Sequence, residues 1–203
     1  MTASIERSSP LVEWAAQFSA ASAAPEAFSI RELPFTTQIN LRGDSAHVAL
    51  GFKLPSAANT WSGTPEQSAL WLGPDEWLVV APEGMNESIA ASLRTGLHGM
   101  HVAVTDVSAS RTVVEISGSY ARAVLAKGCP LDLHASAFGP LQCAQTLLAK
   151  AQVILQCTDT RPVFRLYVRN SFAAYVAEWL TDAAAECGAS RGLDADRIAS
   201  RFG

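Results

Sequence analysis

The chain is short of charge and carries none of the compact motifs through which catalytic or nucleotide-binding sites are usually recognised. Only 17% of its 203 residues are Asp, Glu, Lys or Arg, against roughly 25% in typical soluble domains, which fits a surface partly covered by a partner. The net charge is −4 and no cluster of Lys and Arg stands ready to neutralise phosphates, so nucleic acid is excluded as a partner. Neither GxGxxG nor GxxxxGKS/T occurs, which removes the familiar phosphate-cradling loops. Gly118-Ser119-Tyr120 lacks the flanks of a nucleophile elbow. No run approaches the roughly 18 apolar residues of a membrane span. The four cysteines, Cys129, Cys143, Cys157 and Cys187, are scattered without CxxC spacing and read as reduced, mostly buried thiols of a cytoplasmic protein. Residues 1–27 show no basic segment followed by an apolar core, so a secretory signal is not expected.

What the chain does have is patterned apolar sequence. Phe35, Thr37, Ile39 and Leu41 alternate with Thr36, Gln38, Asn40 and Arg42, Val48, Leu50, Phe52 and Leu54 alternate with His47, Ala49, Gly51 and Lys53, and Gly43, Asp44, Ser45 and Ala46 lie between. The period of two predicts an antiparallel hairpin with one wet face. A second hairpin is predicted from 69–72 and 76–81 about the turn Gly73-Pro74-Asp75, and a third from 142–149 and 152–157. Residues 101–107, 111–117 and 163–169 read as further strands, the last with Phe164, Leu166 and Val168 inward. Helices are predicted after Asn86 as N-cap, over 120–127 up to Gly128 and Pro130, and after Ser171 as N-cap with Phe172, Tyr175, Val176, Trp179, Leu180 and Ala183 on one face. Hairpins and about three helices in blocks, rather than in strict alternation, imply an α+β fold with antiparallel sheets.

The expected organisation is an N-terminal arm (1–30), a domain (31–187) that is either one body or two intimately packed subdomains (31–100 and 101–187), and a tail (188–203). In the arm Leu11, Trp14 and Phe18 are spaced for one short helical face. Trp61 lies in a long loop, 54–66, and for Trp14 and Trp61 burial in an interface and burial in the core are equally open.

Candidate chemical groups are few and isolated. His98 and His101 are three apart with Gly99 between them and no further ligand at metal spacing. His134 has Asp132 nearby but no accompanying nucleophile, and Asp75 and Glu76 sit at a turn tip. Asn86-Glu87-Ser88 and Arg42-Gly43-Asp44 match short glycosylation and adhesion patterns by chance in this context. No catalytic, cofactor-binding or metal-ligating residue is assigned.

Five blocks in order, PFTTQINLRGD (34–44), LWLGPDEWLVV (70–80), DVSASRTVVEISG (106–118), LDLHASAFGP (131–140) and VRNSFAAYVAEWL (168–180), resemble the gamma-subunit family of heterotetrameric sarcosine oxidases, over residues 8–186. A broader resemblance, over 104–180, is to the glycine-cleavage T-protein superfamily, through Asp106–Ser108, the strand ending Glu115–Gly118, the stripe Ala121–Leu125 and the turn Leu131-Asp132. Its folate-binding fold is the fold expected here. In aminomethyltransferases an Asp near that turn serves the one-carbon chemistry; Asp132 is the nearest match, but Pro130-Leu131 precedes it and the role is not carried over. Lys127-Gly128-Cys129 shares a tripeptide with a relative linked to iron–sulfur protein maintenance, and Pro130-Leu131-Asp132 replaces the rest of that signature.

The first resemblance implies a complex that oxidatively demethylates sarcosine to glycine and hydrogen peroxide, and forms 5,10-methylenetetrahydrofolate when tetrahydrofolate is present. It implies NAD and folate sites on an alpha subunit, FAD and covalent FMN on a beta subunit, and zinc on a delta subunit. The gamma chain would be a non-catalytic structural subunit that holds no cofactor. The alternative, from the second resemblance, is a stand-alone folate-binding aminomethyltransferase.

Overall fold

A computed structural model describes residues 7–43 and 50–189. Ten strands form two antiparallel sheets. One sheet has the order β1 (Ser29–Leu33), β7 (Arg111–Ser117), β10 (Val163–Arg169), β9 (Ala151–Asp159), β8 (Cys143–Leu148). The other runs β3 (Trp61–Gly63), β4 (Ser68–Gly73), β5 (Glu76–Ala81), β2 (Thr37–Gly43), β6 (Val102–Asp106).

The sheets pack face to face because their strands are apolar on both sides. Trp61, Leu70, Leu78 and Val80 from one sheet meet Val113, Cys143, Ile154 and Tyr167 from the other. On the outer face of the first sheet, Val114, Ile116, Phe164, Leu166 and Val168 are covered by α1 (Ala15–Ala21), α3 (Ala121–Ala126) and α4 (Ala173–Ala189) through Phe18, Val124, Leu125, Val176 and Leu180. On the outer face of the second, Ile39, Leu41, Trp77 and Val79 receive Ile89 and Leu93 of α2 (Asn86–Gly96). The result is a four-layer α+β molecule, helices outside and sheets inside. Among the described residues no helix is long and apolar enough to cross a membrane.

The hairpins about residues 73–75 and 149–150 form as expected, β4 with β5 and β8 with β9. The first expected hairpin does not. β2 pairs with β5 and β6, Leu41 lying opposite both Trp77 and Val104. Phe35 stands outside the strand at φ 54°, and residues 50–54 hold no strand beyond a single bridge at Lys53. Residues 44–49, including Val48 and the expected turn, lie outside the described residues. The physical reason is that alternation reports which face is buried, not which strand is adjacent. Leu50, Phe52 and Leu54 bury their side chains in the outer core beside Trp77 without joining the sheet.

Both expected N-caps are also corrected. Asn86 lies inside the first turn of α2 and donates from Nδ2 to Asp106 Oδ2 at 3.0 Å. Ser171 lies in a short 3-10 turn, Asn170–Phe172, ahead of α4. That turn rotates the helix, so its inward stripe is Ala173, Val176, Ala177, Leu180, Ala183 and Ala184, while Phe172 is exposed and Tyr175 and Trp179 sit at the rim. The arm contributes the extra helix, α1. Leu11 and Phe18 are buried in the outer core, and β1 pairs with β7, Ile30 opposite Ile116.

Candidate functional site

The seam between the sheets is where polar chemistry concentrates. Residues of β7 and β10 that face the second sheet alternate along their strands, giving Glu115, Val113 and Arg111 opposite Arg165, Tyr167 and Arg169. Glu115 holds two guanidinium groups. Its Oε1 accepts from Arg31 Nε at 2.9 Å and Nη2 at 2.5 Å, and its Oε2 accepts from Arg165 Nε at 2.9 Å. Arg165 also donates to the carbonyl of Pro65. One carboxylate thus links β1, β7 and β10 to a loop of the other sheet. The Glu115–Arg165 pair is buried, whereas the Arg31 side chain is 66% exposed, and replacing a buried pair of this kind by well-packed apolar side chains is often neutral for stability.

Deeper in the seam most polar groups are tied up internally; Gln38 donates from Nε2 to the Arg111 carbonyl at 2.9 Å, while its buried Oε1 has no partner among the described residues. Trp61 Nε1 donates to the Cys157 carbonyl at 2.9 Å, and the Tyr167 hydroxyl donates to Gln156 Oε1 at 2.6 Å. Burial raises the Tyr167 phenol above its ordinary range. The Cys143 thiol donates to the Thr60 carbonyl at 3.2 Å, and burial pushes it up to about 12. A thiol that stays protonated is not a nucleophile. Trp61, one of the two tryptophans whose burial was open between core and interface, therefore belongs to the core. Trp14 is half-buried against Phe18, with ring centroids 6.2 Å apart, and borders a cleft with Tyr175 and Trp179.

The groups that the sequence singles out are not brought together. His98 and His101 are both exposed, beyond the end of α2 and before β6. Asp132 is exposed and accepts the His134 backbone N–H at 2.9 Å, while His134 Nδ1 lies 2.7 Å from Ser136 Oγ, so these residues order their own loop. Asp75 and Glu76 both lie beside Arg42, at 3.6 and 3.9 Å. Lys127 Nζ donates to the Ala183 carbonyl at 2.6 Å and to Glu186 Oε2 at 2.8 Å, fastening α3 to α4. A Cβ on Gly128 would stand 2.5 Å from the Trp179 ring. Cys129 is buried, its Sγ 3.8 Å from Thr146 Oγ1. The tripeptide thus serves helix packing. What sequence reading missed is a cleft of about 410 Å³ at the open end of the seam, bordered by Arg111, Arg169, Gln145, Gln152, Ile154 and Tyr167. The alternating positions of Arg111 and Arg169 were visible, but their juxtaposition depends on strand register.

Residues 41–186 match the model of the family described as "Sarcosine oxidase, gamma subunit family". The sarcosine oxidase subunit gamma of Corynebacterium sp. (strain U-96) is 39% identical over 193 residues, 91% of this chain and 93% of that one. The chain belongs to the sarcosine oxidase gamma-subunit family. A gamma subunit from Arthrobacter sp. is 41% identical over 165 residues, covering 77% of this chain and 80% of its relative. In three dimensions the chain is similar to one in the heterotetrameric sarcosine oxidase from Corynebacterium sp. U-96 in complex with pyrrole 2-carboxylate, with a TM-score of 0.81, 36% identity and coverage of 89% and 96% of the two chains. The gamma-subunit fold extends further: glycine cleavage system aminomethyltransferase T from Bartonella henselae matches at a TM-score of 0.58 and 16% identity, over 81% of this chain and 48% of that one. That second likeness is one of fold, and it agrees with the α+β class read from the sequence. Within the gamma-subunit family match lie nine of the ten strands in whole or part, so both sheets and the seam between them are family features.

Proposed function

We propose that this chain is the gamma subunit of a heterotetrameric sarcosine oxidase, and that its own contribution is structural. The complex would demethylate sarcosine oxidatively to glycine and hydrogen peroxide, forming 5,10-methylenetetrahydrofolate when tetrahydrofolate is present. FAD, FMN, NAD and zinc would be held by alpha, beta and delta partners, in the cytoplasm. The observation that carries this reading is the match along nearly the full length of both chains to a subunit of such a complex. A structural role is supported by how the seam is used: Trp61, Leu70, Ile154 and Tyr167 fill it, and Glu115 is taken up by two arginines. The organisation that goes with this role is a domain, 31–187, against which the described part of the 1–30 arm packs through Leu11 and Phe18, and a 188–203 tail of which residues 190–203 lie outside the described residues.

Co-expression of the four subunits with and without this chain tests the proposal. Without it, recovery of the assembled alpha and beta partners and of sarcosine-dependent peroxide formation should fall together. Normal assembly and turnover in its absence would remove the structural role. The alternative, a folate-binding aminomethyltransferase, is favoured only by the shared fold. It requires saturable tetrahydrofolate binding by the chain alone, lost in Asp132→Ala. In the structure Asp132 is exposed and accepts the His134 backbone N–H at 2.9 Å.

A further inference from the structure

β7 and β10 lie in register, and the residues they turn towards the second sheet form three rungs. Glu115 faces Arg165, Val113 faces Tyr167, and Arg111 faces Arg169. The first rung is balanced by its carboxylate, which bridges the guanidinium groups of Arg165 and Arg31, one oxygen to each. The last rung sets two guanidinium groups directly opposite each other, an arrangement that is unfavourable in itself. Among the described residues neither Arg111 nor Arg169 forms a salt bridge, and Arg111 Nη1 reaches only Ser110 Oγ at 3.4 Å. Glu76 is the one carboxylate whose field favours the Arg111 charge, and its oxygens are already shared between Asn40 and Arg42. Burial, and then the charge of Arg169, make the Arg111 guanidinium harder to keep protonated than usual.

These two arginines border the cleft of about 410 Å³, with Gln152 beside them and Ile154 and Tyr167 beneath. That volume lies within the range of small-ligand sites, roughly 300–1,000 Å³. Ten forked N–H donors on two guanidinium groups suit a planar oxyanion approached from both sides. A few rungs along, the same strands answer the same need with a carboxylate.

We propose that the Arg111–Arg169 cleft is a carboxylate-binding site. Its occupant is either a free small carboxylate or an acidic side chain of an adjoining subunit, and only the second source rests on the subunit reading above. The full-length chain, alone, is titrated with malonate against chloride at equal ionic strength, and thermal unfolding is followed for wild type, R169Q and, as a control away from the cleft, R161Q, since Arg161 is 91% exposed in the β9–β10 turn. In parallel the co-expressed complex carrying R169E or R161E is followed by native mass spectrometry as salt is raised.

A saturable rise in melting temperature with malonate, kept in R161Q and lost in R169Q, identifies a free carboxylate. No malonate effect, but release of the R169E chain at a salt concentration where the R161E chain is retained, identifies a subunit's acidic side chain. In either case R169Q without added anion should melt no lower than wild type, since the substitution removes a repulsion. The site is overturned if malonate acts like chloride and R169E is retained like wild type. If the wild-type chain never joins the complex, the subunit reading fails separately and the malonate titration decides the site alone.

Discussion

Trp61 and Cys143 show what single residues do in the seam. Trp61 is buried with its indole N–H on the Cys157 carbonyl. Trp61→Phe keeps most of the apolar surface but leaves that carbonyl unpaired, a loss of about 1–3 kcal/mol. Trp61→Ala adds a cavity, for a total of about 3–5 kcal/mol. Urea unfolding midpoints of the three proteins should fall in that order, and an unchanged midpoint for both variants would place Trp61 outside the core. Cys143 brings a pH dependence. Its thiol is raised by burial from the ordinary 9.0 to about 12. The folded state therefore keeps a proton that the unfolded chain releases above pH 9.0. This contribution to stability is complete below that pH and is lost as pH rises towards about 12, at up to about 1.4 kcal/mol per pH unit. Between pH 8 and 10.5 the urea midpoint should drop, and Cys143→Ala should flatten the drop by about one proton's worth. A slope identical in wild type and variant would contradict the burial of this thiol.

At the scale of elements, the arm depends on a close approach that only glycine permits. Gly118 adopts φ +106°, and a Cβ there would stand 2.5 Å from the Ala27 carbonyl oxygen. The same short stretch receives the Ser119 and Tyr120 backbone N–H groups on the Glu26 and Ala27 carbonyls. Gly118→Ala should loosen the join between the arm and β7 while the two sheets persist. Limited proteolysis is expected to cut the variant faster within residues 15–28, and equal cleavage of both proteins would show that the arm docks by other contacts. Which elements could be read in advance follows from how local their signals are. The β4–β5 hairpin carries its turn in Gly73-Pro74-Asp75, and the stop of α3 is written in Gly128 and Pro130. The partners of β2 are not local information. Thr37, Gln38 and Ile39 are all buried, so the strand is covered on both faces and lies between β5 and β6. The pairing of the two arginines of the open cleft is likewise not local information, the residues being 58 positions apart in the chain and adjacent only through the β7–β10 register.

For the whole molecule, the two sheets and their helices form a body whose seam is filled by its own side chains, and the structural role proposed above would be exercised through its surface. Val12, Phe172, Leu141 and Leu147 are the most exposed large apolar residues among those described. On the subunit reading proposed above, these are exposed apolar positions at which contacts with partners are expected. Native mass spectrometry of co-expressed material, combined with flavin absorbance of the complex and of the lone 21.5 kDa chain, addresses this directly. A heterotetramer containing one copy of this chain, with flavin absorbance in the complex and none in the chain alone, is the expected outcome. A free chain that carries stoichiometric flavin or folate, or a complete oxidase lacking it, would show that its role is not that of a structural gamma subunit.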